Sequence, residues 1–131
     1  MQNKYLGLLG LAKRAGKLEA GDEATRAAIT AKSARLVLIA SDASDRTRDN
    51  FLFITESENV ACLMVAETRA ELGNALGRRP SAVVGICDAG LAAATAKAIA
   101  ETDESASEIS DALNARAAKI SARRNKGKKK K

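Results

Sequence analysis

Apolar positions change their spacing several times along this chain, and each change predicts an element. Tyr5, Leu6, Leu8, Leu9, Leu11 and Ala12 recur at helical spacing, and Gly16 is placed to stop that helix. Lys17–Ala20 reads as a short extended stretch. Gly21-Asp22 then opens a second helix to about Ala31, with carboxylates in the first turn, where the helix dipole favours them. Arg35-Leu-Val-Leu-Ile-Ala40 is a continuous apolar run of strand length, the pattern of a strand buried on both faces. Ser41-Asp-Ala-Ser44 offers N-cap residues for a third helix to about Ser57. Val60–Ala66 predicts a second buried strand, and Thr68 caps a short helix to about Leu76. Gly77-Arg78-Arg79-Pro80-Ser81 reads as a loop, because Gly and Pro interrupt both periods. Ala82–Cys87 is a third buried strand, and Asp88 caps a fifth helix to about Ala100. Asp42 and Asp88, each following a strand, are read as N-caps.

Helices alternating with strands make this an α/β chain. The expected architecture is a three-layer α/β/α sandwich with a central, mostly four-stranded mixed sheet. After Glu101 the pattern weakens. Residues 101–107 are acidic and polar, as in a linker, and 108–122 carry a thin apolar stripe of Ile109, Leu113, Ala117 and Ile120 at helical spacing. The expected organisation is therefore one domain over 1–101, followed over 102–131 by an acidic linker, a short helix and a disordered Lys-rich end.

Composition narrows the function classes. The 46% hydrophobic fraction is enough for a core, but Tyr5, Phe51 and Phe53 are the only aromatics. Rows of exposed rings that stack single-stranded bases are therefore not expected. The net charge is +6, unevenly spread: residues 1–100 carry 13 Lys or Arg against 11 Asp or Glu, whereas 101–131 carry 9 against 5. The chain has no histidine and no Cys-x-x-Cys, and Cys62 and Cys87 lie inside apolar runs. A zinc site, a Ser-His-Asp triad and a Cys-His dyad are excluded or strongly disfavoured. The thiols read as small core residues in a reducing cytosol, no segment has the form of a signal peptide, and no apolar run spans a membrane. The chain is expected to be cytoplasmic, without metal or cofactor and without catalytic residues. Asp22 and Glu23 are raw material for acid–base chemistry, but no nucleophile, histidine or metal partner accompanies them.

Several blocks taken in order carry a resemblance. They are Leu8-Leu-Gly-Leu-Ala-Lys-Arg-Ala-Gly-Lys17, Gly21, Leu36-Val-Leu-Ile-Ala-Ser-Asp-Ala-Ser44, Leu72-Gly-x-Ala-x-Gly77 and Ile86-Cys-Asp-Ala-Gly-Leu-Ala92. Together they resemble the YlxQ-like bacterial branch of the ribosomal-protein family that includes the archaeal L-seven-Ae and eukaryotic L-thirty-e proteins, over about residues 3–100. The resemblance implies the same sandwich and binding to kink-turn RNA, a helix–internal loop–helix bent at tandem sheared G·A pairs. It implies two loops: one entering the second helix, with the pattern Gly-x-Asn-Glu-x-x-Lys, and one preceding the last strand. Polar side chains of the first would read base edges while helix N-terminal amides meet phosphate. Aligned without gaps on Gly21, the pattern's Asn, Glu and Lys fall on Glu23, Ala24 and Ala27; a one-residue shift selects Asp22, Glu23 and Arg26 instead and loses Gly21. The gapless register is preferred, because Gly is the backbone-sensitive position. The second loop, Gly77–Ala82, is close to the family pattern and adds a cation.

The expected RNA-binding set is Lys17, Gly21, Asp22, Glu23, Arg26, Arg78, Arg79, Pro80 and Ser81. Auxiliary, sequence-indifferent contacts come from Arg123, Arg124, Lys126, Lys128, Lys129, Lys130 and Lys131. The expected partner is structured RNA, ribosomal or otherwise translation-associated, or the ribosome itself, bound by a protein that is a monomer without RNA. Two other classes stand beside this reading. One is a protein-interaction module of the translation machinery with a nonspecific basic tail, whose RNA binding would vanish with the tail. The other is an enzyme on a similar sandwich, which would need a polar pocket holding a perturbed acid or base.

Overall fold

A computed structural model describes residues 4–129, with side chains through Arg124. Its centre is a four-stranded sheet of β1 (Leu18–Ala20), β2 (Leu36–Ile39), β3 (Ala61–Met64) and β4 (Val83–Ile86), in the order β1-β4-β2-β3. β2 pairs parallel with β3, and β4 pairs antiparallel with both β2 and β1. The apolar run of β2 is completely buried, and its side chains alternate between the two faces. Leu36 and Leu38 join Val84 and Ile86 beneath α1 (Lys4–Arg14), α4 (Arg69–Ala75) and α5 (Ala89–Ala100). Val37 and Ile39 join Val83 and Phe51 beneath α2 (Asp22–Thr30) and α3 (Asp45–Ser57). Each such buried aliphatic contributes on the order of 2 kcal/mol. The three-layer α/β/α sandwich expected from the periodicity is the observed fold.

Strand direction has a consequence for function. β1, β2 and β3 run one way and β4 the other. The segments leaving β1, β2 and β3, and the loop entering β4, therefore converge on one end of the sheet, the loop end. The turns entering β1, β2 and β3, and the one leaving β4, lie at the far end.

Three expectations are revised. β3 is an edge strand and not a doubly buried one: Leu63 is buried, Ala61 and Cys62 are only partly covered, and Met64 is 45% exposed. Asp42 does not cap its own helix. Ser44 does so, accepting from the Thr47 amide at 3.1 Å, while Asp42 accepts from the amide of Arg69 at the start of α4, 2.7 Å away. Asp88 and Thr68 cap α5 and α4 as expected, Thr68 in a capping box with Glu71.

The third revision concerns the chain after Glu101. Glu104–Ala106 forms a 3-10 turn that puts Ala106 into the core, with Ile109 and Leu113 packed against the same cluster. α6 (Ser107–Lys129) returns along α5, where Asn114 Nδ2 donates to the Ala93 carbonyl at 3.2 Å. Residues 102–114 thus belong to the body, and the helix expected over 108–122 is neither short nor isolated. Helix continues where disorder was expected from Arg123, because the packed half removes the nucleation cost and Lys and Arg are good helix formers. Lys130 and Lys131 lie outside the described residues, as do the side chains of Lys126, Lys128 and Lys129.

Candidate nucleic-acid interface

The loop end is assembled by backbone pairing before any side chain contributes. β1 aligns Ala20 with Val84, and the next amide, Gly21, donates to the Val83 carbonyl at 2.9 Å. This places the start of α2 directly beside the loop that enters β4. Gly21 turns the chain into α2 with φ 95° and ψ 163°, a region open essentially only to glycine. It is the N-cap residue and provides no side-chain cap, so the first amides of α2 have no side-chain acceptor.

The second loop is held on three sides. It runs back along α4, where the Arg78 amide donates to the Gly73 carbonyl at 2.9 Å and the Ser81 amide to the Arg69 carbonyl at 3.0 Å. The contact is so close that a Cβ on Gly73 would overlap the Arg79 carbonyl. Arg78 then crosses to the first loop, its Nη1 donating to the Ala20 carbonyl at 2.9 Å. Lys13, on α1, donates to the Leu76 carbonyl at 2.5 Å, just before the loop begins.

The expected binding residues divide accordingly. Gly21, Asp22, Glu23, Arg26, Arg78, Arg79 and Pro80 share the loop end. Of these, Asp22, Glu23, Arg26, Arg79 and Pro80 are exposed, and Arg78 is half-buried against Ala20. Ser81 does not face solvent: it is 2% exposed, and its hydroxyl donates to the Arg79 carbonyl at 3.3 Å. Its side chain shapes the loop. Lys17 is exposed but lies before Leu18, which pairs with Ile86 at the opposite end of β1, roughly 10 Å along the strand from the loops. Arg26 leans over the seam between α2 and α3, its guanidinium 5.5 Å from the Phe51 ring centroid, a cation–π distance.

The periodicity did not reveal three further residues at this end. Asp42 and Arg69 meet at the loop end through the Arg69 amide and an ion pair of 3.5 Å, and the amide holds the Asp42 carboxyl below its ordinary range. Arg46, exposed on the first turn of α3, stands at the same end. Only strand pairing could have pointed to them, since nothing local links the segment after β2 to the start of α4 after β3.

The chemistry open to this surface follows from the groups present. The carboxylate oxygens of Asp22 and Glu23 are hydrogen-bond acceptors, so on a nucleic acid they can meet base amino and imino donors and are ill-suited to phosphate. Exposed Arg79, like exposed Arg46, is open to phosphate, while Arg78 is committed to Ala20. Among the described residues no group of acidic, cysteine or histidine side chains could hold a metal ion, and no helix is long and apolar enough to cross a membrane. Burial pushes the Cys62 and Cys87 thiols up, away from nucleophilic thiolate.

Comparison with known proteins matches residues 3–96 to the ribosomal protein L7Ae/L30e/S12e/Gadd45 family. The chain is similar to the RNA-binding protein YlxQ of Enterococcus faecium, 37% identical over 98 residues that make up 75% of this chain and 93% of that protein. It is 35% identical to the RNA-binding protein YlxQ of Bacillus subtilis (strain 168) over 89 residues, 68% of this chain and 88% of the other. Among solved structures, a Bacillus halodurans protein of unknown function superposes with a TM-score of 0.71 at 35% identity, covering 75% of this chain and 98% of that one. The Giardia lamblia 15.5kD RNA binding protein shares the fold at a TM-score of 0.62 and 20% identity, over 76% of this chain and 84% of that one.

Proposed function

Since the chain belongs to the ribosomal protein L7Ae/L30e/S12e/Gadd45 family, we propose that it binds structured, kink-turn-like RNA through the loop end of its sheet. The observation that carries this reading is the union of the two loops: Gly21 pairs with Val83, and Arg78 ties the second loop to Ala20. One rigid surface then offers base-edge acceptors on Asp22 and Glu23, uncapped α2 amides, and a phosphate-seeking guanidinium on Arg79. The names of its two YlxQ relatives, both RNA-binding proteins, support RNA as the partner class. A ribosomal or other translation-associated RNA is the natural substrate for a member of a ribosomal-protein family, and the protein acts in the cytoplasm as a monomeric binder and not as an enzyme.

The test is titration of the full chain against a kink-turn RNA and the same RNA with its sheared G·A pairs replaced by Watson–Crick pairs, at several salt concentrations. Preference for the kink-turn that persists at high salt supports the reading, because nonspecific phosphate contacts weaken steeply there. Equal binding to both RNAs, with one steep salt slope, would replace it with a protein-interaction module carrying a nonspecific basic arm. The carboxylates at the start of α2, where a phosphate-binding helix would be left bare, are the feature that favours this second reading.

A further inference from the structure

The far end of the sheet carries a basic groove that no periodicity indicated. α6 forms one wall with Ile109, Ala112, Leu113, Arg116 and Lys119, and the turns entering β2 and β3 form the other with Lys32, Arg35 and Glu58. The space between them is about 760 Å³. Glu58 is paired with Lys32 at 3.5 Å, which leaves Arg35, Arg116 and Lys119 with no ion pair among the described residues. Ordinary helix electrostatics accounts for Lys32, since a cation beside the C-termini of α2 and α3 complements their dipoles. It does not account for Arg116 and Lys119, which lie in the middle of α6 and face the groove. At helical spacing the same face continues to Arg123, also exposed, so a cationic track leads out of the groove along the helix.

We propose that this groove is a second RNA-backbone site, which holds a segment of RNA other than the one met by the loops. It rests on the RNA-binding reading above. The sites lie at opposite ends of the sheet, separated by about the length of α5, whose 12 residues span about 18 Å. A short kinked loop cannot reach both; a flanking stem or a second helix can. The α6 wall of the groove lies beyond the family match, which ends at residue 96, whereas the wall with Lys32, Arg35 and Glu58 lies within it. Phosphate fits the groove better than an acidic polypeptide does, because the cations stand on both walls and continue as a track along α6, as a repeating anion requires.

The experiment uses the full-length protein and two kink-turn RNAs, one with minimal stems and one with a stem extended by about two helical turns. Each is paired with its Watson–Crick control. The groove variant combines Arg35→Gln, Arg116→Gln and Lys119→Gln, and a thermal melt checks that it folds. The expected result is wild-type affinity for the short RNA and a loss of roughly tenfold or more on the extended one. The slope of log K against log salt on the extended RNA should also fall by about 2.7, near 0.9 per lost duplex contact. An unchanged slope on the extended RNA, or an equal loss on both RNAs, overturns the second site. So does wild-type RNA binding by a variant that has lost affinity for a poly-L-glutamate probe, which would make the groove a protein-docking surface. Failure of the kink-turn reading shows separately, as equal binding to each RNA and its control, and the comparison of short with extended stems still decides the groove.

Discussion

Arg78 donates from Nη1 to the carbonyl of Ala20 at 2.9 Å, and this one bond joins two loops that are 58 residues apart in the chain. It also sets two neighbouring arginines apart: Arg78 holds the loops in register, whereas Arg79 is exposed and is the one assigned to phosphate in the function proposed above. Arg79→Gln should therefore weaken RNA binding and lower the salt slope by about 0.7–0.9 with the melting temperature unchanged. Arg78→Gln should cost about 1 kcal/mol of stability as well as affinity. Identical behaviour of the two variants in melting and salt titrations would show that the division is wrong.

Gly73 and Gly21 shape the two loops through their backbone geometry. A Cβ on Gly73 would overlap the Arg79 carbonyl and come within 2.9 Å of the Pro80 Cα, both backbone, so Gly73→Ala must push the loop off α4. The expected cost is about 2 kcal/mol, with loss of RNA affinity. Gly21→Ala must hold φ near 95° with a side chain present, at a cost of about 1–3 kcal/mol. Denaturant melts measure both, and either variant at wild-type stability contradicts the geometry.

The last third of α5 and the start of α6 form one packed unit around Ala106, which is fully buried. Ala106→Asp should destabilise the whole domain by several kcal/mol, since a carboxylate there has no room and no water. A domain that truly ended at residue 101 would tolerate the change. Urea unfolding distinguishes the two.

Stability should respond to acid through Asp42. The Arg69 amide chiefly, and the Arg69 guanidinium with it, hold this carboxyl below its ordinary 3.8. A depressed folded value means that the contribution is present above the unfolded pKa and is lost as pH falls through the folded one. Asp42→Asn should remove that part of the acid dependence of the melting temperature. An unaltered acid limb would show that the Asp42–Arg69 contact does not form in solution.

At alkaline pH the sign reverses. Burial raises Tyr5, which also donates to Glu67, and burial raises the thiols of Cys62 and Cys87. Their neutral forms are favoured in the fold, so their contribution is intact below the unfolded values and is lost as pH rises through the folded ones. Thiol labelling at pH 8 should be much slower for native than for urea-unfolded protein. Equal rates would place the cysteines at the surface.

The sequence by itself determined the local architecture. The run Leu36–Ile39 is a fully buried strand, Gly16 ends α1, Thr68, Asp88 and Ser44 cap the helices they precede, and Gly77–Ser81 is a loop. Each of these depends on neighbours within a few residues, and residue spacing reports them directly. The interface depended on partners far apart in the chain. Antiparallel β4 brought Gly21 beside the Arg78 loop and left Lys17 at the other end of β1, while the parallel pairing of β2 with β3 turned Asp42 toward an amide 27 residues away. Strand order made Val60–Ala66 an edge, and the return of α6 over α5 converted a supposed linker into core and the short helix expected over 108–122 into one wall of a groove. Periodicity tells which positions are buried but not what buries them; pairing direction and packing against distant helices settle that, and only the tertiary structure contains them.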